Sequence, residues 1–162
     1  MKKNKLETIL VMHNIRSAYN VGSMFRTADA ASISEIYLSG YTPEPLDMFG
    51  RLRKDISKVA LGAESTLPWK SFPTINAVIS KLKKEGFYII AIEQDKDSVP
   101  YTQVEILGKK KIAFIVGNEV RGLSKSALGK SDIVAEIPMK GEKESLNVSV
   151  ALGVVLFRIL GI

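Results

Sequence analysis

Stretches of apolar, β-branched residues alternate along the chain with segments in which apolar positions recur every three or four residues. Thr8–Met12, Glu35–Leu38, Tyr88–Ile92, Ile112–Val116 and Ile133–Ile137 read as strands. They lack a clean apolar–polar alternation, as expected of strands covered on both faces. Val21–Ser32, Ile75–Lys84, a short segment near Lys125–Leu128 and Leu146–Leu160 read as helices. Strand–helix alternation predicts an α/β fold with a mostly parallel sheet flanked by helices. Residues 40–73 carry Pro43, Pro45, Pro68 and Pro73 and read as a long irregular crossing with one short helix.

Local signals refine these elements. Asn20 is expected to cap the helix that starts at Val21, Thr74 the helix at Ile75, Ser124 the short helix, and Ser145 the last one. Gly86 suits the position just past a helix end. In the first helix Val21, Met24, Phe25, Ala28 and Ala31 share one face, and Gly22, Arg26 and Asp29 another. Glycine in a first turn costs ~1 kcal/mol against alanine, so Gly22 implies close approach of a ligand or of backbone. Arg26 then either points at that approach or pairs with Asp29 on a solvated face. The last helix is apolar nearly all round, except at Ser145 and Asn147 at its mouth and at Ser149 and Arg158. A terminal helix of that kind predicts a partner chain, an identical one being the simplest.

Composition narrows the function. The chain has 162 residues, 46% of them hydrophobic and 25% charged, which fits one domain with a full core, spanning 1–162. No uninterrupted apolar run reaches the ~20 residues of a membrane helix. There is no cysteine and a single histidine, His13, so neither a thiolate nor a histidine metal cluster is available. A cytoplasmic protein is the expectation. The net charge of +6 fits a polyanionic partner such as RNA or DNA. Arg16, Arg51, Arg53, Lys54 and Lys58 in the polar segments, with Asn14 and Arg26, are candidate RNA contacts.

Three groupings carry candidate chemistry. The first strand is followed by a polar loop with Asn14, Arg16 and Asn20, then by Arg26. The fourth strand runs into Gly117-Asn118-Glu119-x-x-Gly122, and ligands of open α/β sheets bind at carboxyl ends of strands. This is neither a GxGxxG fingerprint nor a phosphate loop. The third grouping is Ile137-Pro-Met139, a charged loop, and Ser145-Leu146-Asn147 at the mouth of the last helix.

Taken together and in this order, the three resemble the SpoU/TrmH family of RNA 2′-O-ribose methyltransferases, within the SPOUT superfamily. Asn20-Val-Gly22-x-x-x-Arg26, Gly117-Asn-Glu-x-x-Gly-Leu123 and Ile137-Pro-Met … Ser145-Leu-Asn-Val-Ser-x-Ala151 match its motifs, and Ala60-Leu-Gly-Ala-Glu64 looks like its middle segment. The resemblance implies a deep C-terminal trefoil knot, bound S-adenosylmethionine, a homodimer built on the C-terminal helix, and methyl transfer to a ribose of tRNA or rRNA, tRNA being slightly preferred. It places the cofactor against Ile92, Glu93, Val116, Gly117, Asn118, Ile137, Met139 and Leu146. It gives catalysis to Arg26, helped by Asn20, Glu119, Ser145 and Asn147, with no metal. The first strand begins almost at once, leaving no room for an extra N-terminal RNA-binding domain. The alternative is a catalytically idle RNA-binding dimer of the same fold.

Overall fold

The structure is a computed structural model that describes residues 6–162, so the basic start of the chain lies outside the described residues. Seven strands are β1 (Glu7–His13), β2 (Glu35–Ser39), β3 (Trp69–Phe72), β4 (Tyr88–Ile92), β5 (Val99–Pro100), β6 (Lys111–Val116) and β7 (Ile133–Glu136). They form one parallel sheet in the order β3-β2-β1-β6-β4-β7-β5. The helices are α1 (Ala18–Ala30), α2 (Lys54–Ala60), α3 (Ala63–Thr66), α4 (Ile75–Lys84), α5 (Lys125–Lys130) and α6 (Val148–Leu160).

Alternate strand residues serve two cores. Leu10, Met12, Ile36, Leu38, Ile90 and Phe114 face α1, α2 and α6, whose Phe25, Ile56 and Leu156 are fully buried. Ile9, Val11, Ile89, Ala113 and Ile115 face α4 and α5. The central strands are thus apolar along their buried stretches because both faces are covered. Each large aliphatic or aromatic side chain buried this way contributes about 1.5–3 kcal/mol.

The five expected strands and four expected helices are present; Tyr88–Ile92 and Ile75–Lys84 match to the residue and the others have shifted ends. The residues at 40–73 hold more order than expected: two short helices, α2 and α3, and the strand β3. β3 and β5 both escape sequence reading because they are edge strands, β3 bounded by Pro68 and Pro73 and β5 containing Pro100. Proline is tolerated only at such edges.

Two expected caps move. Helix α1 begins a turn earlier than expected: Ser17, not Asn20, is the cap, and its side chain accepts from the Asn20 N–H at 3.2 Å. Helix α6 begins later: Asn147, not Ser145, is the cap, accepting from the Ser149 N–H at 2.8 Å, so Leu146 precedes the helix. Thr74 and Ser124 cap as expected, accepting from Ala77 and Ala127. Gly86 follows α4 at φ 79°.

The close approach at Gly22 is backbone, not ligand. A Cβ there would stand 2.6 Å from the Ile56 carbonyl oxygen, so glycine is what lets α1 lie on α2. Helix α6 is covered on one side only. Leu152, Val155, Leu156 and Ile159 are buried, while Val150 is 50% and Val154 39% exposed.

Candidate active site

The carboxyl ends of β1, β6, β4 and β7 lie side by side, where the strand order reverses direction around β1 and β6. In open parallel sheets that is where a crevice forms. A cavity of about 230 Å³ lies against the ends of β6, β4 and β7. Ile92 and Glu93 come from the end of β4, Gly117 to Val120 from beyond β6, and Ala135 to Ile137 from β7. Met139, Ser145, Leu146, Val148 and Ala151 close the other side.

The loop after β6 folds tightly because of its glycines. A Cβ at Gly117 would stand 2.8 Å from the backbone carbon of Gly122 and from the Leu123 side chain. A Cβ at Gly122, whose φ is +64°, would meet the Glu93 carboxylate at 2.3 Å. That carboxylate accepts from the N–H groups of Leu123 at 3.1 Å and Gln94 at 2.9 Å. Asn118 is buried and fully used. Its amide donates to the Asn14 carbonyl and the Tyr41 hydroxyl, both at 2.9 Å, and its oxygen accepts from Val120 and Arg121.

Glu119 ties the loop to α1. Its carboxylate accepts from the N–H groups of Arg16 at 2.9 Å and Ser17 at 3.1 Å, and from the Asn20 amide at 3.0 Å. Burial pushes its pKa up, but the Arg16 N–H, the Asn20 amide, the Ser17 N–H and its own N–H outweigh that and hold it below the usual value of 4.5. The Asn147 amide donates to the Asn20 oxygen at 3.2 Å. Glu119, Asn20 and Asn147 therefore form one chain of hydrogen bonds that joins the starts of α1 and α6 beside the cavity. The shifted cap of α1 is what makes this possible, since an Asn20 spent on capping could not bridge the other two.

The sequence-derived site residues separate into groups. Ile92, Glu93, Gly117, Asn118, Ile137, Met139 and Leu146 line the cavity, as do Glu119 and Ser145. Val116 does not: it is 1% exposed, packed into the core from β6. Arg26 does not either. It lies exposed on α1, outside the cavity lining, and its expected partner Asp29 forms no ion pair with it among the described residues. Of the candidate RNA contacts, Asn14 is occupied internally, its side-chain oxygen accepting from the Tyr41 N–H at 3.1 Å. Arg51 and Arg53 are paired with Asp47 at 2.9 Å and Asp55 at 2.7 Å, which leaves them less free for phosphates. Lys54, Lys58 and the Arg16 side chain are exposed and unpaired among the described residues.

Gln94 and Glu136 line the cavity and were missed from sequence, since Gln94 stands two residues past β4 and Glu136 ends β7, neither with a motif of its own. Gln94 donates from its side chain to the Glu144 carbonyl at 2.8 Å, linking β4 to the charged loop. Among the described residues, no group of three or more His, Cys, Asp or Glu is placed to hold a metal ion. No helix there is long and apolar enough to cross a membrane.

Comparison with known proteins agrees with this architecture. The SpoU rRNA Methylase family matches residues 7–157, and the chain belongs to that family. A 23S rRNA (guanosine-2′-O-)-methyltransferase, RlmB, of Pseudomonas aeruginosa is 30% identical over 152 residues, covering 94% of this chain and 58% of the relative. The AdoMet-bound rRNA methyltransferase from Sinorhizobium meliloti superposes with a TM-score of 0.84 at 28% identity, covering 94% of this chain and 55% of that one. The TrmH/SpoU tRNA modifying enzyme of A. aeolicus superposes with a TM-score of 0.81 at 25% identity, over 97% of this chain and 75% of the other. The chain thus spans a little over half the length of the first two of these proteins, 58% and 55%.

Proposed function

We propose that this chain is an S-adenosylmethionine-dependent RNA methyltransferase acting on a ribose 2′-hydroxyl. The observation that carries this reading is the charge of the cavity. Its charged lining residues are Glu93, Glu119 and Glu136, with no Lys or Arg among them. A phosphate would be repelled there, whereas a sulfonium with an ammonium group is favoured. Ile92, Ile137, Met139 and Leu146 offer apolar walls for an adenine ring, and the strand ends offer backbone groups for its edge. The residues present therefore fit the cofactor bound by the Sinorhizobium meliloti protein.

When bound, the cofactor would supply an electrophilic methyl group, and the chain must hold the hydroxyl in line with it while the hydroxyl proton passes to solvent water. Glu119 is not the base: its carboxylate already accepts several N–H bonds and is held below the usual pKa. It acts as an anchor that sets Asn20 and Asn147. Ser145, exposed at the cavity edge, is free to orient the hydroxyl. The Arg26 guanidinium offers a cationic, bidentate fork, so it clamps the phosphate next to the target ribose and raises the acidity of the hydroxyl.

Arg26 lies outside the cavity of its own chain, which supports action across a homodimer. The exposed Val150 and Val154 of α6 are the natural contact for a second copy. A deep C-terminal knot, in which 138–147 is part of the threaded segment, is the expected way to bring that loop over the strand ends. The RNA is tRNA or rRNA, with tRNA tested first, and the expected site of action is the cytoplasm.

The test is calorimetric titration with S-adenosylmethionine, then transfer of labelled methyl to bulk tRNA and rRNA with nuclease mapping to the ribose. Arg26→Ala is expected to bind cofactor normally and to lose transfer by about 100-fold or more, the scale for removing a group that stabilises transition-state charge. Full activity in that variant refutes the role of Arg26. Failure of the native protein to bind S-adenosylmethionine favours the idle RNA-binding dimer.

A further inference from the structure

We propose that Tyr41 stacks against an unpaired nucleobase of the RNA substrate, beside the nucleotide whose ribose is methylated. The inference rests on the reading of the chain as an RNA methyltransferase. Tyr41 follows β2 and is 58% exposed, yet it is held at both its hydroxyl and its backbone N–H. Its hydroxyl receives a hydrogen bond from the buried amide of Asn118, a residue that lines the cavity. Its backbone N–H donates to the Asn14 side chain at 3.1 Å.

The neighbours of Tyr41 are fixed too. Before it, Gly40 sits at φ +64° with its N–H on the Phe72 carbonyl, and a Cβ there would stand 1.9 Å from the Asn14 side-chain oxygen. After it, Thr42 is buried; its hydroxyl accepts from the Ile15 N–H and lies 2.9 Å from the Met12 and Ser39 carbonyls. The ring therefore stands in one place, one hydrogen bond from the cavity wall, with much of its surface in water.

Rigid exposed aromatics are the standard means of holding unpaired RNA bases. The surroundings favour a nucleotide over an apolar partner. Arg16 follows Ile15, whose N–H is bonded to Thr42, and the Arg121 N–H is bonded to Asn118 at 2.8 Å. Both guanidinium groups are exposed and unpaired among the described residues. An exposed aromatic ring on a rim whose neighbouring backbone also carries two free cations matches a ligand that has both π faces and negative charge. A nucleotide entering with its ribose at the cavity brings its own or a flanking base past this rim.

The experiment compares wild type, Tyr41→Ala and Tyr41→Phe in the full chain. RNA affinity is read by fluorescence anisotropy with tRNA and rRNA fragments, transfer by KM and kcat for RNA, cofactor affinity by calorimetry, and assembly by light scattering. Tyr41→Ala is expected to weaken RNA binding and raise KM about tenfold or more, the range for losing one stacked base. Tyr41→Phe, which keeps the ring and loses the hydroxyl, should stay within about threefold, the scale of one hydrogen bond. Cofactor affinity and oligomeric state should be unchanged in both. Equal damage in both variants would mean that only the bond to Asn118 matters, and would overturn the proposal. So would unchanged RNA affinity in Tyr41→Ala, or a change of cofactor affinity or assembly. A native protein that binds RNA but transfers no methyl group counts against the functional reading, while the anisotropy comparison still decides the role of Tyr41.

Discussion

Two loops share the cavity and are built in opposite ways. The loop at 117–122 is dense: both glycines are forced by contacts, Asn118 uses its whole amide, and the Glu119 carboxylate binds the start of α1. The loop at 138–147 is open, with Lys140 to Asn147 all exposed. The side-chain hydrogen bonds that moor it are Gln94 to the Glu144 carbonyl and, at its far end, Asn147 to Asn20. The first loop is pre-organised, so it can fix positions without ordering on binding. The second is lightly held, as expected of a segment that must admit a ligand.

The dense loop should fail sharply when disturbed. Gly117→Ala places a methyl 2.8 Å from the backbone carbon of Gly122, which cannot give way as a flexible side chain would. The variant is expected to lose about 1–3 kcal/mol of stability, the range for overpacking, seen as a lower urea midpoint. Its affinity for S-adenosylmethionine should fall at least tenfold. A variant with native stability and affinity would show that this loop is no more rigid than its neighbour.

Glu119→Gln is expected to have a smaller effect with a diagnostic pH dependence. The variant keeps one acceptor but loses the charge and turns an NH2 group toward N–H donors. The expected loss at pH 7 is about 1 kcal/mol, toward the low end for bonds to a charged group because the residue is solvent-exposed. The sign follows from the depressed pKa of the carboxylate. A group held lower in the folded than in the unfolded chain adds stability above its unfolded value near 4.5, and that increment disappears as pH falls through the folded value. The gap between wild type and variant should therefore be widest at neutral pH and close in acid. Urea midpoints from pH 3 to 7 would measure it, and a constant gap would exclude the anchoring role of the charge.

The difference between the loops also explains what sequence could reveal. The β-branched runs at 88–92 and 112–116 signal central strands because burial on both faces demands apolar residues throughout. Edge strands such as Trp69–Phe72 carry no such signal, with Lys70 and Ser71 exposed. Glu119, Asn20 and Asn147 are visible as polar residues beside helix starts, but their mutual bonds span 99 and 127 residues. Capping chemistry by itself favours Asn20 and Ser145 about as well as Ser17 and Asn147. The choice was made by tertiary partners: Glu119 takes the Arg16 and Ser17 N–H groups, so α1 starts at Ala18. The pairing of Arg51 with Asp47 and of Arg53 with Asp55 is by contrast local, four and two residues apart, whereas nothing local shows that Gly22 serves helix packing.

The mildest change tests the open loop. Gln94→Ala removes the side-chain amide that donates to the Glu144 carbonyl at 2.8 Å and leaves the β4 backbone intact. Both groups are exposed, so water replaces the lost bond in the free protein and the melting temperature should move by about 1 °C or less. The cost appears when the loop must be ordered over a ligand: an anchor worth about 0.5–1 kcal/mol is then missing. Affinity for S-adenosylmethionine should weaken about threefold, most of it as faster dissociation, since loosening a cover lets the ligand leave sooner. Stopped-flow and calorimetry on the same preparation would separate the two rates. A slower association with unchanged dissociation would mean that Gln94 already orders the loop in its binding conformation in the free protein, and the contrast between a fixed and an adaptable half of the site would not hold.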